Sequence, residues 1–202
     1  VIDKKDLKKY LDDKLAVNNY QPHLWNCGLV NGLAVTTTGG IVLPIESILY
    51  DGTGKVIMTG LLGEVMKESL SVVMSYLKSN AKYFQINENF FLQKDVHIHV
   101  LEGSIPKNGP SAGVAITTSL ISLYTNSKVP SDVAMTGEMT LRGEILAVGG
   151  IKEKVISAYN QNITTIYLPK QNEMDVKEVP KEIRDNMHII FVKQYKDIYR
   201  YL

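Results

Sequence analysis

The stretch Gly109-Pro110-Ser111-Ala112-Gly113 is where this chain could do covalent chemistry. A serine flanked by glycines can meet a substrate backbone closely, because glycine leaves no Cβ in the way. As a bare pattern it fits G-x-S-x-G, the strand-to-helix elbow of α/β-hydrolases. That elbow needs a strand running straight into the serine. Here the preceding strand-like segment ends near Leu101, and Pro106 and Pro110 interrupt the residues between it and the serine. His188 is the only histidine after Ser111, and no His-Gly-Gly segment supplies an oxyanion site. The other placement is the first turn of a helix, where N–H groups lack intrahelical partners and can stabilise an oxyanion. The pentapeptide alone leaves two readings open: a nucleophile, or a serine that merely starts a helix.

A nucleophilic serine needs a base. His97 and His99, two apart on a strand-like segment, share one face. A Ser–His pair, with Asp95 behind it, is one option, and a two-histidine metal site another, but spacing suggests no third ligand. Structural or supporting histidines fit better. Lysine is the stronger candidate, and helical phase selects which one. In the helix expected after Gly150, Ile151, Val155 and Ala158 define an apolar face. Lys154 lies about 60° from Ile151, whereas Lys152 and Glu153 point away. A lysine aimed at a core must be neutral or paired. Desolvation and the positive end of the helix dipole both lower its pKa. A fall from about 10.4 to about 8 corresponds to roughly 3.3 kcal/mol and yields a competent base near neutrality. Two S-x-x-K matches compete. Ser75 and Lys78 fall on the polar face of a helix, and Ser104 and Lys107 sit in a proline-interrupted loop. Cys27, the only cysteine, reads as a packing residue beside Leu29 and Val30.

The elements that must position these groups emerge from periodicity and turn residues. Asp3 is placed to cap a short helix through about Leu11. Apolar, β-branched segments come next at 28–36, 41–49 and 56–60. Gly39-Gly40 and Asp51-Gly52-Thr53-Gly54 punctuate them, as turns between antiparallel strands do. A helix over 64–78 carries Met66, Leu70, Val73 and Leu77 on one stripe. Residues 95–101 alternate as a strand, 102–109 form a loop, and an apolar helix spans about 110–124 with Pro110 in its first turn. Strands are expected at 133–135, 145–148, 165–168 and 188–192, with a polar loop before the last and a short helix after it. The fold class is α+β, a mixed sheet carrying helices, in one domain over 1–202.

Composition bounds the function. With 202 residues, 45% of them hydrophobic, the chain can bury a core. Lys+Arg of 22 against Asp+Glu of 21 gives no general attraction to nucleic acid or anionic membrane. One cysteine excludes an internal disulfide. No apolar run is long enough to cross a bilayer, and the start has no signal-peptide pattern. A first residue of Val rather than Met suggests a fragment. No G-x-x-x-x-G-K-[ST] occurs, and Gly52-Thr53-Gly54-Lys55-Val56 lacks its spacing and hydroxyl.

Three segments together resemble the Lon peptidase domain: 106–113 (PKNGPSAG), 132–138 (DVAMTGE) and 149–154 (GGIKEK). Upstream, 60–69 (GLLGEVMKES) and 97–100 (HIHV) are similar to the same family's segments in the same order, so the resemblance covers nearly the whole chain. It implies a Ser111–Lys154 dyad, an acyl-enzyme resolved by water, and a Thr136 that hydrogen-bonds near the lysine. Asn108, His97 and Glu138 are expected to support the pair, and the backbone at Gly109, Pro110 and Ala112 to form the oxyanion side. No cofactor or metal is expected in this domain. The resemblance places ATP and Mg at an AAA+ module elsewhere on the chain, within a hexameric ring that degrades unfolded, damaged or regulatory proteins. The implied compartment is the mitochondrial matrix or the bacterial cytoplasm, with no membrane or nucleic-acid partner indicated. The sequence departs from the family pattern at Asn108, where Asp is usual, at Leu101 and Ala147, where Pro is common, and at Val35, often aromatic. Two other functions stand beside this one: a catalytically silent Lon-like oligomerisation or binding module, and a stand-alone esterase using His188.

Overall fold

Leu29–Thr36 (β1) and Gly39–Asp51 (β2) pair antiparallel, Leu29 opposite Glu46 through Thr36 opposite Gly39. They lie at the centre of a seven-stranded sheet in the computed structural model, which describes residues 26–101 and 107–201. The helix expected from Asp3, and residues 102–106 of the expected loop, fall outside those residues. Lys94–Val100 (β4) pairs antiparallel with β2, and Val56–Thr59 (β3) pairs parallel with β4. On the other side of β1 run Val133–Met135 (β5), Thr165–Pro169 (β8) and His188–Val192 (β9), all parallel. The spatial order is β3-β4-β2-β1-β5-β8-β9, with Glu138–Met139 (β6) and Ile145–Leu146 (β7) as a separate small hairpin. The mixed sheet with packed helices is the α+β architecture expected.

One strand pairing differs from expectation. β2 and β3 run in opposite directions but are not neighbours, because β4 lies between them. The Asp95 carboxylate at the start of β4 accepts the backbone N–H of Thr53 at 2.7 Å and of Lys55 at 2.8 Å. The glycine-rich connection after β2 is thus folded onto β4 rather than closing a hairpin, and a strand from later in the chain fills the gap.

Burial tracks the two faces of the sheet. Residues 29–33 of β1 are buried without a break, as strands covered on both faces are. One face holds Val30, Leu43 and Ile45 against the helices Glu64–Ser79 (α1) and Gly113–Thr125 (α3). The other holds Leu33, Val42 and Ala134 against Ile151–Asn160 (α4). β4 alternates because its Val96, Ile98 and Val100 side packs into the core while Asp95, His97 and His99 on the other side are half-buried. The α1 stripe Met66, Leu70, Val73 and Leu77 is buried as its 3.6-residue spacing requires. α3 is buried on nearly all sides, which is why its sequence is apolar or hydroxyl-bearing throughout. Its Thr117 and Thr118 hydroxyls return to the helix carbonyls of Gly113 and Val114, so the polar atoms are satisfied.

Short elements escape a reading by periodicity. Phe90–Gln93 (α2) has four residues, and the polar loop before β9 contains two 3-10 turns and Lys181–Asp185 (α5). Each is too short to express a helical repeat. Tyr195–Tyr199 (α6) comes after β9 and sends Tyr195 into the core, where it packs edge-on against Tyr76 and Phe84. Among the described residues no helix is long and apolar enough to cross a membrane.

Candidate active site

Ser111 sits in a 3-10 turn, Pro110–Ala112, that leads directly into α3. Helix α3 is enclosed by core, so the turn is held from behind. The approach to it is held as well. Lys107 is 5% exposed, donates its N–H to Leu61 O at 3.1 Å and its ammonium to Gly60 O at 3.0 Å, and accepts Gly63 N–H at 2.8 Å. The Asn108 amide oxygen accepts the Val65 N–H at 3.2 Å, capping the start of α1. Gly63 is required there, because a Cβ would stand 2.2 Å from Asn108 Oδ1. On the far side the Ser111 carbonyl accepts the Gly137 N–H at 2.9 Å and the Thr136 hydroxyl at 3.1 Å.

Lys154 reaches the same threonine from the opposite face of the sheet. Its Nζ donates to Thr136 Oγ1 at 3.0 Å, and among the described residues that hydroxyl is its one hydrogen-bond partner. Lys154 is 2% exposed and Thr136 fully buried, whereas Lys152 and Glu153 face solvent. Burial pushes the Lys154 amine down to about 8 from the ordinary 10.5. The threonine proton is committed to the Ser111 carbonyl, so its oxygen is left to receive the lysine. Nζ is thereby tethered to the residue bearing the Ser111 hydroxyl, without a direct hydrogen bond between the two side chains.

Two close approaches at glycines fix the helix that carries the amine. Gly150, in the left-handed region at φ 69°, precedes α4, and a Cβ on it would lie 2.3 Å from Val35 Cγ2. Gly40 of β2 passes so close beneath α4 that a Cβ would come within 2.0 Å of the Glu153 carbonyl oxygen. Gly39-Gly40 was expected to be a turn; the turn is at 37–38, and Gly40 is in the strand as a contact residue.

Ser111 opens into a cavity of about 230 Å³ whose walls include Leu33, Val35, Ile41, Met66 and Asn108. Pairing of β1 with β5 ends at Gly32 opposite Met135. Beyond it, Leu33–Thr36 keep an edge with no second strand partner among the described residues, beside that cavity. An extended chain segment can hydrogen-bond along such an edge.

The structure brings Ser111, Thr136, Lys154, Gly109 and Ala112 together, with Asn108 in the cavity wall and His97 outside it. Pro110 starts the turn but has no N–H to offer an oxyanion. Glu138 is half-buried in β6 opposite Leu146. His97 and His99 share the Thr59 hydroxyl, at 3.0 and 2.7 Å, on the half-buried face of β4, outside the cavity wall. Among the described residues no three His, Cys, Asp or Glu side chains converge as metal ligands would. Ser75 returns its hydroxyl to Ser71 O, and Cys27 is half-buried. Lys107 lies in the 106–113 segment and Gly40 in the Gly39-Gly40 pair, but neither pattern marks the contact role each has at the site.

A hydroxyl opening into a groove of mixed apolar and polar lining, with a desolvated amine tethered behind it, fits the class of serine hydrolases that use lysine as base. Comparison with known proteins gives the family: the chain belongs to the C-terminal proteolytic domains of Lon protease (S16), whose sequence profile matches residues 1–202. It is 50% identical over 201 residues to the Lon protease of Mycoplasma genitalium, covering 100% of this chain and 25% of that protein. With the Lon protease of Finegoldia magna the identity is 46% over 198 residues, covering 98% and 26%. With that of Mycoplasma pneumoniae it is 48% over 199 residues, covering 98% and 25%. The chain thus spans about a quarter of the length of these relatives.

Proposed function

We propose that this chain is the peptidase part of an ATP-dependent serine endopeptidase in which Ser111 is the nucleophile and Lys154 the general base. The observation that carries this reading is the buried Lys154 amine, lowered to about 8 and held by the threonine that also binds the Ser111 carbonyl. An extended substrate lies along the edge of Leu33–Thr36 with a side chain in the cavity beside Ser111. Neutral Lys154 takes the Ser111 proton as the oxygen attacks the scissile carbonyl. The oxyanion faces first-turn N–H groups such as that of Ala112. The lysinium returns its proton to the departing amine, leaving an acyl-serine. Water, deprotonated by the same amine, then releases the acid and restores the hydroxyl.

Thr136 supports both protonation states, because its oxygen accepts an N–H from amine or ammonium alike. Asn108 holds the loop before the nucleophile. ATP and Mg belong to an AAA+ module outside these residues, and a hexameric ring enclosing the peptidase sites would restrict entry to unfolded or damaged polypeptides. The relatives quoted are bacterial, which favours a bacterial cytoplasm over the mitochondrial matrix. The test is turnover of a fluorogenic peptide, and of an unfolded protein with and without ATP, by the full-length protein. Ser111→Ala and Lys154→Ala are each expected to abolish cleavage while leaving the circular dichroism spectrum and melting behaviour close to wild type. Near-normal turnover by Lys154→Ala would overturn the dyad. Substrate binding without cleavage by the unaltered protein would point instead to a silent binding module.

A further inference from the structure

We propose that Asn172 is a positioning residue for Lys154, fixing the point at which the helix carrying the amine begins; the inference rests on the Ser111–Lys154 reading above. Asn172 is 3% exposed and lies in the 3-10 turn Lys170–Asn172 after β8. Its amide oxygen accepts the Val148 N–H at 3.0 Å, and its amide nitrogen donates to the Val148 carbonyl at 3.0 Å. The remaining amide hydrogen goes to Asp175 Oδ2. One side chain therefore does for Val148 what an antiparallel strand partner does for a residue in a ladder, satisfying its donor and acceptor together. Gln171 repeats half of the arrangement on the preceding residue, accepting the Ala147 N–H at 3.1 Å.

Only Gly149 separates this clamp from Gly150, whose carbonyl accepts the Lys154 N–H at 3.0 Å in the first turn of α4. Gly149 is exposed and has nothing within 4 Å of where a Cβ would stand, so that side of the residue is open. The start of α4 is held by the Val148 clamp on one side and, on the other, by the approaches of Val35 and Gly40 and the burial of Ile151. Lys154 is one turn further on, in a buried site where its one hydrogen-bond partner among the described residues is Thr136. A helix start free to shift lets that amine slide out of line and toward water. Misplacement of a catalytic group by about 1 Å costs on the order of a hundredfold in rate.

A purely local role, tying the turn at Lys170–Asn172 to Asp175, predicts something different. Asn172→Asp retains an acceptor for the Val148 N–H but removes the donor to its carbonyl and sets a carboxylate against Asp175. The double variant Asn172→Asp/Asp175→Asn restores the contact between positions 172 and 175, yet still leaves the Val148 carbonyl without its donor. Peptide turnover by the full-length protein with ATP, against pH and alongside Lys154→Ala, distinguishes the roles. Expected for Asn172→Asp is a kcat lower by about 10- to 100-fold, a KM changed less than about threefold, and an acid limb moved to higher pH as the amine is solvated. The double variant is expected to stay impaired.

A kcat within about twofold of wild type for Asn172→Asp would overturn the proposal. So would full recovery in the double variant, or a loss matched by the fall in folded fraction with an unmoved pH profile. If Lys154→Ala is inactive and Asn172→Asp is normal, only the positioning role falls. If Lys154→Ala keeps its turnover, the dyad reading falls and this inference with it.

Discussion

Replacing Lys154 by methionine exchanges a buried amine for an apolar chain of similar length and should yield a domain that is inactive yet more stable. The folded state holds the amine at about 8 against 10.5 for free lysine. At about 1.4 kcal/mol per pH unit, keeping the protonated form buried costs roughly 3 kcal/mol. The substitution removes that penalty and leaves Thr136 Oγ1 without its donor, a loss of about 1 kcal/mol; the threonine still donates to the Ser111 carbonyl. Net stabilisation of about 1–3 kcal/mol is expected at pH 7.

The pH dependence makes the test specific. Because the folded-state pKa is depressed, the unfolded chain binds the extra proton between about pH 8 and 10.5. The penalty is fully present below about pH 8 and is relieved as pH rises toward the free-lysine value. The advantage of Lys154→Met should therefore shrink to below about 1 kcal/mol by pH 10. Urea unfolding of wild type and variant at both pH values measures it, and taking the difference cancels every other titrating group. A variant less stable than wild type at pH 7, or an advantage that ignores pH, would refute the picture of a lysine desolvated without a compensating charge.

Other perturbations have equally definite outcomes. Ser111→Ala should lower peptide turnover by at least about 1000-fold with a change in stability below about 0.5 kcal/mol, since the hydroxyl makes no hydrogen bond among the described residues; residual turnover near wild type would reassign the nucleophile. Gly40→Ala places a methyl 2.0 Å from the Glu153 carbonyl oxygen, so it should destabilise by about 1–3 kcal/mol and reduce kcat as α4 is pushed outward. Denaturant titration and peptide kinetics read both effects, and unchanged values would mean the two backbones separate freely. Asn108→Asp keeps the acceptor for the Val65 N–H and adds negative charge at the start of α1, a gain of about 0.3–1 kcal/mol at low salt that fades as salt is raised. Asn108→Ala should instead lose about 1 kcal/mol, and indifference of melting temperature to both would show that the cap contributes nothing.

Much of the fold is legible in the sequence because burial imposes a local period. The α1 stripe, the alternation of β4 and the limits of β9 are all recoverable from spacing alone. So is the burial of Lys154 beside exposed Lys152, since helical phase fixes which face a residue occupies once a neighbouring apolar set is known. The motif around Ser111 and its order relative to the other segments indicate the family without any knowledge of the fold. Pairing across long separations is not encoded in this way. Nothing local to Asp51–Gly54 tells the chain that β4 will enter between β2 and β3, because that choice is made by the Asp95 carboxylate and by the covered face of Val96, Ile98 and Val100.

The same division runs through the site. Sequence alone determined that a serine stands at the start of an apolar helix and that one lysine of the later helix faces inward. Only tertiary structure decided that Thr136, from a third element, would bind the Ser111 carbonyl and the Lys154 amine with one hydroxyl. It also decided that Gly40 would serve as a contact and that Asn172 would stand in for a strand partner. A residue type and its phase report which way a side chain points. Whether it meets a partner depends on where separately folded segments cross, and that is set by packing the whole sheet between its two layers of helices.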